Sequence, residues 1–313
     1  MLNRFRQFRE LARLFFRRFL ENDLICLDGD TTGTLTNVLA LLAAPGVFFP
    51  MLEHLMYSWM PRQPLFVRDL ISLNEKALYV SFSMTVLGIV TVLEWDTLLP
   101  DRRDYLVLRP FPVRLSTILA AKIVTLIGFW GVFTATINAF STVAFPAAVT
   151  QYDPFRNLAW FIRCHALTIL AANAFVFLAI LAIQALLMNL LGWRLFRRVS
   201  PVAQFVLIAA LLAMCFCSGE LVMGLHPRRT PNPALHFFPP AWFVGFYHHQ
   251  LGWPQPLFRE MAAHMRTALW ATALLAAAGF ALSYHRHVRR SLESLDAIAA
   301  APGRVSRFVL GCV

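Results

Sequence analysis

Three close-set pairs of metal-type ligands occur in the chain: Cys215-x-Cys217, His248-His249 and His285-x-His287. A zinc-class site needs three or four such donors converging on one point. Cys215 and Cys217 are two residues apart, so on a helix they face different directions. His285 and His287 lie in a basic patch from Arg286 to Arg290, which repels cations. The two histidine groups also fall on opposite sides of a membrane in the topology derived below. These residues point to no metal site, and the chain is expected to bind no cofactor.

Acid–base chemistry has few candidates. No Ser/His/Asp or Cys/His constellation stands out. Asp101 and Asp104, three apart, share one face of a helix but have no second acidic cluster to work with. They keep open a membrane-embedded transferase acting on lipid or glycan. Ionisable groups inside apolar stretches are the other candidates, because charge at that depth is costly and marks ion or substrate paths. Glu220, beside Ser218 and Gly219, lies in such a stretch. It supports an alternative reading as a proton- or ion-coupled carrier. Glu53 and His54 fall near the end of another stretch, where an interfacial role accounts for them.

The elements that must carry these residues follow from composition. The chain has 313 residues, 58% hydrophobic and 14% charged, with a mean hydropathy of +0.59. Soluble domains hold roughly 25% charged and 45–50% apolar residues. The apolar content excludes a disordered chain, and five cysteines are too few for a disulfide-stapled domain. The net charge is +11, and all basic residues but Lys76 and Lys122 are arginine. Those arginines flank apolar runs, which suits membrane-surface and orientation roles rather than nucleic acid.

Six stretches are long and apolar enough to cross a hydrocarbon layer of about 30 Å. They lie near 35–58, 77–95, 118–145, 165–191, 202–225 and 267–284. The fold class is therefore an all-α integral membrane protein, with 1–34 as a leading segment, 35–284 as a six-span domain and 285–313 as a basic tail. The first twenty residues carry six arginines and no unbroken apolar core, unlike a cleavable signal peptide. With both termini in the cytoplasm, nineteen Lys and Arg fall inside and nine outside. The positive-inside bias supports that orientation.

Within 1–20, Leu2, Phe5, Phe8, Leu11, Phe15 and Phe19 recur at steps of three and four. Arg6, Arg9, Arg13 and Arg17 occupy the other side. That pattern is an amphipathic helix suited to the headgroup layer, in contact with membrane lipid. Two connections are more elaborate than links. One runs from Trp95-Asp96 through Pro100-Asp101-Arg102-Arg103-Asp104-Tyr105 to Arg109 and Arg114. Pro100 and Asp101 suit a helix start, and Arg109-Pro110 stops it, leaving about two turns that could dock a partner. An ordinary basic loop is the other reading. The second connection holds Phe238-Pro239-Pro240-Ala241-Trp242-Phe243-Val244-Gly245, too short to span. It reads either as a helix dipping into the membrane and returning or as an aromatic belt at the interface.

An amphipathic leading helix, six spans, a short helix after the second span and an apolar loop before the last resemble the ATP-binding-cassette (ABC) permeases of the type 2 exporter class. The residues from Trp95 to Lys122 and from Phe238 to Gly245 look like the corresponding segments of bacterial permeases of that kind. The resemblance implies a transmembrane subunit in a bacterial inner membrane that is no enzyme itself. It implies a partner ATPase carrying the ATP and Mg, docked on 96–114, and a second six-span half as homo- or heterodimer. No Gly-x-x-x-x-Gly-Lys-Ser/Thr phosphate loop occurs in the chain, in keeping with an ATPase supplied in trans. The tail from Arg304 to Val313 resembles the opening of a further span cut short.

Overall fold

A computed structural model describes residues 2–20, 31–59, 62–98, 115–151, 157–226 and 232–299. The protein is an all-α membrane protein with six spans, and no strand occurs among the described residues. The helices are α1 (Leu2–Leu20), α2 (Thr31–Trp59), α3 (Leu65–Leu93), α4 (Trp95–Leu98), α5 (Leu115–Gln151), α6 (Leu158–Val222), α7 (Pro239–Gln250) and α8 (Pro256–Ala299). Two short 3-10 turns, Met223–Leu225 and Pro233–Phe237, sit between α6 and α7.

Helix α6, with the 3-10 turn that follows it, carries two spans, Leu158–Gly192 and Leu195–Leu225. Gly192 breaks it with φ of 68° and ψ of 164°, a backbone state open to glycine but strained for other residues. The chain reverses there. Along α3 and into α4, Tyr79, Ser83 and Trp95 meet His165, Asn173 and Gln184 in ascending order. The fifth span runs the other way, with Thr85, Ser81 and Phe66 meeting Leu211, Ser218 and His226.

Helix α3 is the hub of the bundle. Lipid offers helices no hydrophobic drive to associate, so close packing and interhelical hydrogen bonds must hold them together. Helix α3 supplies both. Ser83 and Asn173 bond at 3.0 Å, Ser81 and Ser218 at 3.0 Å, and Thr85 donates to the Leu211 carbonyl at 2.9 Å. Its apolar core residues Val80, Met84 and Leu87 are at most 1% exposed. The outward faces of α2, the fifth span and α8 carry Leu41, Met51, Phe205, Phe216, Trp270 and Leu274, all exposed, as lipid contact requires.

Two ends of the bundle are built differently. At one end α1 lies on α5, with Leu11 and Phe15 buried against Ile118 and Ala121 while Arg6, Arg9, Arg13 and Arg17 stay exposed. This is the amphipathic division expected from the spacing. At the other end α7 packs antiparallel to α8: His248 stacks on Phe258, Gly245 abuts Met261 and Trp242 lies over His264. A Cβ on Gly245 would fall 2.3 Å from the Met261 Cβ, so only glycine permits this approach.

Several helices begin earlier than expected. The second span starts at Phe66 rather than near 77, the fourth at Leu158 rather than 165, and the sixth at Pro256 rather than 267. The charged residues that precede the apolar runs lie on the helices themselves. Arg163 is exposed and its guanidinium sits 5.1 Å from the Trp160 ring centre, while Arg259 and Arg266 are also exposed. Lys76, which stands just ahead of the second span expected near 77–95, is instead wholly buried.

Candidate functional site

The described part of the 95–114 connection is short helix α4. Its Trp95 is fully buried and stacks on Phe196 at the start of the fifth span, ring centres 6.5 Å apart. The Gln184 amide, from the fourth span, donates to the Trp95 carbonyl. Lys122 of α5 donates to the Thr97 carbonyl at 2.5 Å, and its ammonium lies 5.3 Å from the Phe15 ring of α1. Glu94 and Thr97 close the turn, Thr97 donating to the Glu94 carbonyl at 2.7 Å. Four elements therefore converge on the foot of α3. The side chain of Asp96 and the residues Pro100, Asp101, Arg102, Arg103, Asp104, Tyr105, Arg109 and Arg114 lie outside the described residues, as does the tail from 300.

The 238–245 segment forms the first turns of α7, which is enclosed by α3, the fourth span and α8 rather than lying on the bundle surface. Pro239 and Pro240 occupy its first positions, where a missing N–H costs nothing. Phe243 and Gly245 are buried, and Phe243 meets Phe175 with ring centres 5.5 Å apart. Phe238 is partly buried. The Trp242 indole donates to the carbonyls of Leu235 and His236 at 3.2 and 3.1 Å.

Between α7 and the hub lies a polar cluster that the sequence did not reveal. Tyr79 of α3 donates to Glu53 of α2 at 2.7 Å, and Tyr57 of α2 donates to Glu75 of α3. Lys76 donates to Ser72 at 2.6 Å, and its ammonium lies 5.6 Å from the Tyr247 ring centre and 5.9 Å from that of Phe161. His165 Nδ1 sits 3.0 Å from the Tyr247 hydroxyl, while its ring lies edge-on to Tyr79. Glu53, Glu75, Lys76 and His165 are all at most 5% exposed. Desolvated charge is tolerable only when paired and hydrogen-bonded, and aromatic faces around an ammonium supply part of that. The cluster joins two acids, a lysine, a histidine and three tyrosines from α2, α3, α6 and α7.

Glu220 is placed elsewhere. It lies on the exposed side of α6, less than one turn from the helix end at Val222. His54 is exposed although its neighbour Glu53 points inward. Cys215 is partly buried and Cys217 exposed, His248 is buried and His249 exposed, so neither pair forms a joint donor set. Among the described residues a different trio converges: His236, Glu260 and His264 offer donor atoms within 4.8 Å of one another. The i, i+4 spacing of Glu260 and His264 was a legible signal, masked by reading 256–266 as loop.

Comparison with protein-family models, with curated proteins and with solved structures finds no match to this chain.

Proposed function

We propose that this chain is the permease subunit of an ATP-driven exporter of the ABC type 2 class. It sits in a bacterial inner membrane with both termini cytoplasmic and is worked by a separate ATPase that docks on 96–114. A second six-span half completes the pathway. One observation carries the reading most: the bonded foot of α3. A docking segment transmits force only if its root is stiffly joined to the spans that must move. Trp95 and Thr97 are joined by packing or hydrogen bonds to the fourth and fifth spans and α5, and through Lys122 to α1. Displacing the loop displaces those elements together, because packed interfaces shift between discrete arrangements rather than deforming smoothly. The lack of a phosphate loop in the chain is in keeping with energy supplied by a partner.

The test is affinity purification from native membranes. Wild-type protein is expected to bring down a Walker-type ATPase, and the double variant R102E/R103E to lose it while remaining monodisperse in detergent. Equal ATPase recovery with both proteins would refute the docking assignment.

A second reading rests on the buried cluster of Glu53, Glu75, Lys76 and His165. Such groups inside a span belong to ion and proton carriers as well as to exporters. On that reading transport follows the pH gradient in vesicles holding the purified chain alone. Activity that requires ATP and the partner excludes it.

A further inference from the structure

The trio His236, Glu260 and His264 has no part in the proposed coupling, yet it has the make-up of a metal centre. Glu260 and His264 stand four apart on α8, so they share one helix face. His236 arrives from the Pro233–Phe237 turn, its Nδ1 3.7 Å from a Glu260 carboxylate oxygen. The two imidazole rings are 5.3 Å apart. His264 Nδ1 lies 3.0 Å from the Glu260 backbone carbonyl, which can only accept, so Nδ1 carries the N–H and the neutral ring offers a lone pair at Nε2. Anchoring of the second ring nitrogen by a carbonyl is the usual outer-shell device of metal-binding histidines.

Trp242 braces both histidines. Its indole N–H holds the carbonyl of His236 itself, and its ring stacks over His264 at 6.4 Å and 29°. The two ligand-bearing elements are thus held in place by a third element before any ion arrives. We propose that His236, Glu260 and His264 form a binding site for a zinc-class divalent cation, which fastens the Pro233–Phe237 turn to α8. Two imidazoles and one carboxylate select a borderline metal over calcium or magnesium. In a tetrahedral zinc site, with arms of 2.0–2.2 Å, neighbouring donors stand about 3.4 Å apart. The present spread of 4.8 Å closes by side-chain rotation, since Glu260 is exposed and His236 and His264 are partly so. That exposure leaves the fourth position to water, as in open three-ligand sites.

The inference is independent of the permease reading and fails or stands separately. Its test uses full-length protein in detergent, carrying a tag without histidines and stripped with chelator. Zinc chloride titrated calorimetrically is expected to bind at one equivalent per chain. H236A and H264A should each weaken that binding at least tenfold, whereas H249A should leave it unchanged. Glu260 is exposed, so E260Q folds regardless and should also weaken binding at least tenfold. X-ray absorption of the zinc form should show two imidazole nitrogens and a carboxylate oxygen. Absence of stoichiometric binding by monodisperse wild type, or equal affinity in wild type and E260Q together with H264A, overturns the proposal.

Discussion

Tyr79 and Ser81, two residues apart on α3, both make hydrogen bonds to neighbouring helices, but the bonds differ in kind. Ser81 meets Ser218 hydroxyl to hydroxyl, and such interhelical pairs in membranes contribute about 0.6 kcal/mol on average. Tyr79 serves a buried carboxyl, and leaving that acceptor without its donor costs about 1–3 kcal/mol. Y79F is therefore expected to lower the thermal midpoint in detergent clearly, while S81A shifts it little. Equal effects would show that the Tyr79–Glu53 pair carries no special weight. At this scale the sequence was least informative. Glu53 read as an interfacial residue and Lys76 as one standing just ahead of the second span, because their partners come from helices whose facing sides cannot be deduced from one strand of text. Glu220 stood out only because its neighbours are apolar, and its side chain faces away from the bundle interior.

At the scale of the elements, spacing was a better guide. The three- and four-residue steps of α1 divide it correctly into an apolar and an arginine side. That Leu11 and Phe15 pack on Ile118 and Ala121 of α5 rather than face lipid alone was not legible, because spacing gives a face and not its partner. The paired prolines and Gly245 marked a short helix, and the close contact with Met261 explains why glycine stands there. G245A must push α7 off α8, an overpacking expected to cost about 1–3 kcal/mol. Adding M261G removes the opposing Cβ and should restore part of the lost thermal stability; no restoration would place the cost elsewhere. The helix starts differ from expectation for a single physical reason. A charge beside an apolar run suggests a water boundary, whereas Glu75 and Lys76 find partners inside the bundle and Arg163 extends beside Trp160 at its surface. Q184L combined with K122M cuts the bonds from α4 to the fourth span and α5; if the chain is the proposed permease, the ATPase should still copurify while ATP-driven transport falls at least tenfold. Unchanged transport would mean that force does not travel by this route.

For the whole molecule, the six spans were legible from apolar length and the scarcity of charge, both of which are properties of segments. Their arrangement around α3 was not, because it depends on which serine, threonine and asparagine side chains meet across helices. In the proposed permease the bundle is worked from the α1 end, by a partner reaching the segment that follows α4. The most direct test of that proposal is the sidedness of two single cysteines, at Tyr105 and at Gly252, in protein whose native cysteines are replaced. An impermeant thiol reagent applied to intact cells should label the cysteine at 252 and spare that at 105, which becomes reactive in inverted vesicles. Labelling of residue 105 from the cell exterior, or of both positions from the same side, would rule out a cytoplasmic partner at this segment.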